Sequence, residues 1–316
     1  NANLSLNSVY SRELITDVLS IDCNAKEKIA LYGDLSNMSK EIHDRYNQFY
    51  TKLLQSPGKY KTEIERHMDF LRGLGIYKIN IQPVIWTTSE DDRFALNFIK
   101  SNNLEKEKII ALFPGGQHYH KIYPEYQSVL KDFKNFVVII LGNSEDMERA
   151  KNIENNFQGK CFNLAGKTTI RQMAGIMRKC HLYIGTDSAG AHVACAVGIT
   201  NIVILGGGHF GRFFPYSPLT SIVCLPLECY DCNWACKYER PHCVQNIMPE
   251  VFSEAIKQTL EHTSHKPRIF VQNSSLWNQK RGQPEWQFFD KYLNVNEVQI
   301  IIVDEISTAI SEINEA

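Results

Sequence analysis

The stretch Leu182-Tyr183-Ile184-Gly185-Thr186-Asp187-Ser188-Ala189-Gly190-Ala191-His192 passes from a short apolar run into a run of small residues. Leu182 to Gly185 is apolar without alternation, the pattern of a strand covered on both faces. Asp187 and Ser188 carry cap chemistry, and the sequence predicts a helix from about Ser188 to Gly198 with Asp187 as its N-cap. A buried strand leading straight into a helix is the repeating unit of a parallel sheet. The unit recurs on both sides. Ile109 to Phe113, Phe136 to Leu141, Cys161 to Leu164 and Asn201 to Leu205 are mostly apolar, often β-branched, and separated by amphipathic helical segments. Helix starts are signalled between them: Thr169 with Gln172 three residues on forms a capping box, and Ser144 precedes the acidic pair Glu145 and Asp146. The fold class predicted is α/β, a doubly wound parallel sheet.

Outside this region the pattern weakens. Residues 1 to about 28 carry no assignable periodicity. A strand is predicted at Ile29 to Tyr32, a long helix at Met38 to Leu54 ended by Pro57-Gly58, and further helices at Thr62 to Arg72 and Asp92 to Lys100. After Pro267 one strand is readable, Val298 to Val303.

Composition narrows the function classes. The chain has 316 residues, 43% hydrophobic and 22% charged, which is enough for two ordinary domains and argues against disorder. With 34 basic against 35 acidic residues there is no global field to hold a polyanion, so nucleic acid is not an expected partner. No apolar run approaches the roughly 18 residues of a spanning helix. Asn1 stands where a Met would, no export signal follows, and the start reads as a cut chain. Nine cysteines, an odd number without an export signal, favour a reducing compartment, the cytoplasm.

In open α/β sheets ligands bind beyond the carboxyl ends of the strands, so the loops after each strand hold the candidate site. After the first comes Pro114-Gly115-Gly116-Gln117-His118-Tyr119-His120-Lys121, in which Gly115 and Gly116 let backbone amides approach an anion and Lys121 adds a point charge. Gly142-Asn143-Ser144-Glu145 follows the second strand and Ala165-Gly166-Lys167-Thr168 the third. The amides of Ser188, Ala189 and Gly190 open a helix whose start favours an anion, and His192 lies one turn on. Gly206-Gly207-Gly208-His209-Phe210-Gly211 has dinucleotide-binding spacing, yet Pro215 and Pro218 forbid the helix that fingerprint needs. Its glycines read instead as a wide loop at the cleft that offers Arg212 and His209 to an anionic ligand.

The first four of these loops, in this order and spacing over roughly Ile64 to Leu260, resemble glycosyltransferase family 9, the ADP-heptose lipopolysaccharide heptosyltransferases and their relatives. The resemblance implies a GT-B architecture of two Rossmann-like domains, with the nucleotide-sugar donor held by the C-terminal one. It implies an inverting transfer of a sugar, heptose first, from a nucleoside diphosphate, ADP first, to a glycan, lipopolysaccharide or protein acceptor, without a catalytic metal or other cofactor. Carried over by position, Lys121, Asp187 and His192 are the candidate catalytic residues. Gly115, Gly116, Gln117, Glu145, Lys167, Ser188, Ala189, Gly190 and Arg212 are the candidate donor-binding residues. Two departures stand out: Ala189 precedes Gly190 where the family has Gly directly after Asp-Ser/Thr, and the family's N-terminal Gly-Asp loop, source of the general base, has only a superficial echo in Gly33-Asp34-Leu35. Residues 1–85 therefore read as a remnant or rebuilt acceptor-side region, 86–265 as the donor domain and 266–316 as a C-terminal extension. A noncatalytic nucleotide-sugar-binding or assembly module is the alternative, and peripheral membrane association stays open.

Cys229, Cys232, Cys236 and Cys243 crowd into one loop beside Tyr230, Trp234 and Tyr238. The spacing suits one tetrahedral structural Zn or Fe, two disulfides or four reduced thiols. The loop resembles the iron-holding loop of autotransporter heptosyltransferases, and that likeness adds weight to the metal.

Overall fold

The computed structural model describes residues 2–58, 61–79, 81–116, 118–209, 212–213, 217–261, 268–272, 274–280 and 299–302. The chain divides into two units, residues 1–81 and 82–316.

The first unit is a three-stranded parallel sheet, β1 (Leu4–Asn7), β2 (Glu27–Leu31) and β3 (Lys52–Leu54), in the order β1-β2-β3. The helices are α1 (Leu14–Asp22), α2 (Lys40–Asn47) and α3 (Glu63–Gly73), the last opened by the Thr62/Glu65 capping box. The long helix expected from Met38 to Leu54 stops at Asn47. Beyond it Leu53 and Leu54 pair with Ala30 and Leu31, because Leu54 joins Ile29, Leu31 and Phe70 in the small apolar core. The stretch before residue 28 holds β1 and α1, and it was unreadable because its burial is inverted. Leu4 and Leu6 are exposed, whereas Arg12 and Asp17 are wholly buried. Arg12 pairs with Asp17 at 3.3 Å, and Asp17 Oδ1 accepts from Tyr50 Oη (2.7 Å) and Asn7 Nδ2 (3.2 Å).

The second unit begins with α4 (Ser89–Ser101) and then alternates: β4 (Ile109–Phe113), α5 (Tyr126–Leu130), β5 (Val137–Ile140), α6 (Met147–Asn156), β6 (Cys161–Asn163), α7 (Ile170–Met177), β7 (Leu182–Thr186), α8 (Ala189–Val197) and β8 (Asn201–Ile204). It continues with β9 (Thr220–Cys224), α9 (His242–Gln245), α10 (Pro249–Glu261), β10 (Arg268–Val271), α11 (Ser274–Lys280) and β11 (Gln299–Ile302). The eight strands lie in the order β11-β10-β9-β8-β7-β4-β5-β6, and every neighbouring pair is parallel. β4, β5, β7, β8 and β9 are buried along their whole length, as the mostly apolar runs of the first four require.

Two strands of this second unit escaped the sequence pattern. β9 and β10 carry Thr220, Ser221 and Arg268, polar residues that are nonetheless buried, each with a hydrogen bond to the chain nearby. Arg268 N–H donates to Ser221 Oγ (3.3 Å), and its guanidinium donates to the carbonyl of Gln258 (2.6 Å). The residues expected to form a separate extension after 266 thus contribute two strands, β10 and β11, to the main sheet.

Strand order also locates the ligand edge. From β4 the chain builds outward through β5 and β6, then returns to place β7 on the other side of β4 and builds through β8 and β9. The loops leaving β4 and β7 therefore diverge, and the crevice between them is the topological switch point where such sheets bind ligands.

Candidate functional site

A cleft of about 440 Å³ opens at this switch point. It is lined by Phe113, Gly116, His118 and Lys121 after β4, Asn143, Glu145 and Asp146 after β5, and Ser188, Ala189 and His192 after β7.

The β4 loop is built around a carboxylate. A Cβ at Gly115 would fall 1.5 Å from Asp146 Oδ1, and one at Gly142 would lie 2.8 Å from Asp146 Cβ, so both glycines are imposed by the side chain between them. Asp146 is buried. Its Oδ2 accepts from the Asn143 amide (3.0 Å) and its Oδ1 from Arg149 Nη2 (2.7 Å). Asn143 in turn accepts from the amides of Glu145 (2.8 Å) and Asp146 (3.2 Å). Sequence reasoning saw Asp146 only as an acidic helix start. The signal that marks it is Asn143 with Asp three positions on, a reciprocal cap.

Lys121 closes a short turn over Tyr119–Lys121, and a Cβ at Gly116 would stand 3.0 Å from its own Cβ. Its Nζ lies 3.4 Å from Asp187 Oδ2. Asp187 is not the cap of α8. Strand pairing runs one residue further than expected, the Asp187 amide donates to the Ile204 carbonyl (3.0 Å), and Ser188 becomes the N-cap residue. The Asp187 carboxylate is thereby released from the helix and turned toward Lys121. Its Oδ1 is buried without a hydrogen bond, 4.0 Å from His192 Nε2.

The helix can start this close to β4 because of Gly190. A Cβ there would meet Tyr183 Oη at 2.6 Å and Phe113 at 2.7 Å, while Ala189 points outward into the cleft lining. The close approach has moved one residue along, which accounts for the Ala189-Gly190 order. The first amides of α8 have no partners within the helix, and Ser188 and Ala189 at its start line the crevice. His192 is held below the ordinary histidine range, first by desolvation and then by Lys121, against the pull of Asp187.

Other candidates fall elsewhere. Lys167 is exposed beside the edge strand β6, its ammonium donating to the Asn163 carbonyl (2.8 Å), and it does not line the cleft. Arg212 lies over the Phe213 ring at 4.9 Å, close enough to His209 to help hold that imidazole below its usual range after burial and Lys121. Gln117 lies outside the described residues, as do Phe210 and Gly211.

Gly206, Gly207 and Gly208 do not form a wide loop at the cleft. Cβ atoms on them would lie 2.7 Å from Val244, 2.2 Å from Tyr230 and 2.1 Å from Trp234. The glycines are the floor on which the cysteine loop packs. None of the four cysteines there is joined in a disulfide. Cys243 is pushed up to about 12 by burial, and its sulfur accepts from the Gly207 amide at 3.4 Å. Cys229 and Cys232 are also raised, first by burial and then by neighbouring thiols. Among the described residues no three His, Cys, Asp or Glu side chains are gathered as a metal's ligand set.

The sequence profile of glycosyltransferase family 9 (heptosyltransferase) matches residues 38–242. A lipooligosaccharide heptosyltransferase 2 of Campylobacter jejuni is 26% identical over 175 residues, which are 55% of this chain and 46% of that protein. The chain thus spans about half the length of this relative. Among solved structures, a family 9 glycosyl transferase from Veillonella parvula superposes with a TM-score of 0.65 at 18% identity, covering 82% of this chain and 74% of that one. The E. coli ADP-heptose LPS heptosyltransferase II gives 0.58 at 14% identity, covering 81% and 75%. These likenesses show the GT-B type of α/β fold. With a family profile matched across most of its length, from α2 to the cysteine loop, the chain belongs to glycosyltransferase family 9.

Proposed function

We propose that the cleft binds the nucleoside diphosphate of a sugar donor, ADP-heptose first, and that the chain takes part in inverting transfer of the sugar to a glycan, lipopolysaccharide or protein acceptor in the cytoplasm. The observation that carries this reading is the switch-point crevice in which Lys121, the start of α8 and the β4 glycine loop converge. Departure of a nucleoside diphosphate leaves negative charge on the phosphates. Lys121 and the α8 amides are the groups placed to neutralise it, and Asp146 holds the loop that carries Gly115 and Gly116. Family membership and the fold shared with an E. coli ADP-heptose LPS heptosyltransferase support the donor.

Calorimetric titration with ADP, UDP, GDP and ADP-heptose tests this. ADP should bind selectively and Asp187→Ala should weaken it. Absence of nucleotide binding by the unaltered chain would refute the donor site.

A noncatalytic donor-binding module is favoured by one observation. Both carboxylate oxygens of Asp34, the echo of the base loop, accept from Ser11 Oγ at 2.8 and 2.9 Å. Binding of ADP-heptose without ADP release on addition of acceptor would select this reading.

We also propose that Cys229, Cys232, Cys236 and Cys243 hold one structural Zn or Fe. After burial, Cys232 and Cys236 oppose ionisation of Cys229, and all three oppose that of Cys243; a soft thiolate-binding cation that drew the four together would relieve that repulsion. Elemental analysis should find one equivalent of Zn or Fe, lost in Cys232→Ser. Four titratable thiols in metal-free protein would exclude it.

A further inference from the structure

The cysteine loop reaches the proposed donor site through one side chain. Trp234, between Cys232 and Cys236, carries its indole into a row of rings at the mouth of the β4 loop. Its Nε1 donates to His209 Nδ1 at 3.0 Å, and the two rings meet edge to face at 5.9 Å. On its other side lies His120, centroids 5.5 Å apart, itself stacked on Tyr119 at 3.9 Å. The Lys121 ammonium stands 5.6 Å from the indole centroid, within cation–π range.

The backbone holds the indole at this place against its preference. Trp234 has φ +60°, in the left-handed region that a bulky residue rarely occupies, and it follows Asp231 (φ +67°) and Asn233 (φ +49°). Two hydrogen bonds pin the segment: the Asp231 amide donates to the Gly207 carbonyl and the Asn233 amide to that of Gly208, each at 2.8 Å. Gly208 is the seat of the ring, for a Cβ there would lie 2.1 Å from Trp234 Cδ2.

We infer that Trp234 is a positioning residue for the donor site, holding the Lys121 ammonium at the cleft and fixing His209 as the tautomer that carries its proton on Nε2. An indole N–H only donates, so Nδ1 of His209 must accept and the remaining proton sits on Nε2, on the side of the ring where the Asn233 side chain is its partner. The inference rests on the proposed nucleotide-sugar reading for its purpose and on contacts within the chain for its substance. It also gives the cysteine loop a task beyond packing, since the loop's conformation determines where the indole lies.

Three variants test it: Trp234→Phe keeps a ring but loses the N–H, Trp234→Leu loses both, and Gly208→Ala keeps the indole but unseats it. Imidazole 15N shifts should show His209 as the Nε2–H tautomer in the unaltered protein and a tautomer mixture in all three. ADP affinity should fall on the order of tenfold in Trp234→Leu and Gly208→Ala, and less in Trp234→Phe, which retains the cation–π face. A merely structural tryptophan would leave the tautomer unchanged, and that result would overturn the inference. If the unaltered chain binds no nucleotide the function reading fails, yet the tautomer measurement still decides the role of Trp234. Unchanged ADP affinity in Trp234→Leu alongside normal binding by the unaltered chain would remove the link to Lys121 alone.

Discussion

Lys121→Ala should abolish ADP binding in calorimetry while the circular dichroism spectrum stays that of the unaltered protein. At an effective dielectric of about 20 one charge pair at about 4 Å is worth on the order of 4 kcal/mol before desolvation, about three decades in affinity. The loss is compounded by what remains. Asp187 is 6% exposed, and without the ammonium 3.4 Å away its carboxylate faces the incoming phosphates unscreened. The double variant Lys121→Ala/Asp187→Ala should therefore bind ADP better than Lys121→Ala alone, and the cycle measures the coupling directly. His192 reports the same electrostatics in solution. Lys121 lowers its pKa and Asp187 raises it, so NMR titration should find it higher in Lys121→Ala and lower in Asp187→Asn. ADP affinity unchanged in Lys121→Ala would end the diphosphate role.

The second large effect lies in residues 1–81. Asp17→Ala removes the carboxylate that Arg12 meets with no exposure on either side chain, and it leaves a buried cation together with Tyr50 Oη deprived of its acceptor. Breaking a buried pair by deleting one partner costs roughly 3–5 kcal/mol. The apolar core of this unit, Ile29, Leu31, Leu54 and Phe70, is too small to absorb such a loss. Hydrogen exchange followed by mass spectrometry should show β2 amides exchanging on the order of a hundredfold or more faster, while β4 to β8 keep their protection. Replacing both charges with an apolar pair should recover most of the protection, since the cost arises from the orphaned charge. Equal loss of protection in both units would mean that the ion pair is not specific to the first.

The candidate site was legible where one local signal coincided with one position. Lys121, Gly115, Gly116 and the Ser188 helix start all sit in loops directly after apolar strands, and strand ends are where open sheets place ligands. Lys167 obeyed the same local rule and failed, because β6 is the edge strand and its loop opens away from the switch point. Asp187 was found but given the wrong partner, since whether a carboxylate caps a helix or meets a lysine depends on one further residue of strand pairing. Asp146 and Trp234 were passed over for the opposite reason. Each acts through contacts with residues distant in the chain, Gly115 and Gly142 in one case, Gly208 and His209 in the other.

The class of fold was legible in the sequence, because apolar runs of four or five residues, often β-branched and alternating with capped amphipathic segments, suit strands covered on both faces and the helices that cover them. The sequence also determined the chemistry on offer at the sheet edge, since glycines, a lysine and a helix start are local properties. The tertiary structure alone decided which of those groups meet. Strand order put the β4 and β7 loops side by side and left β6 at the margin, a choice made by long-range pairing that no local pattern encodes. It likewise decided that Gly206, Gly207 and Gly208 serve the cysteine loop, because only the packed chain shows which aromatic ring occupies the space where a side chain would have been.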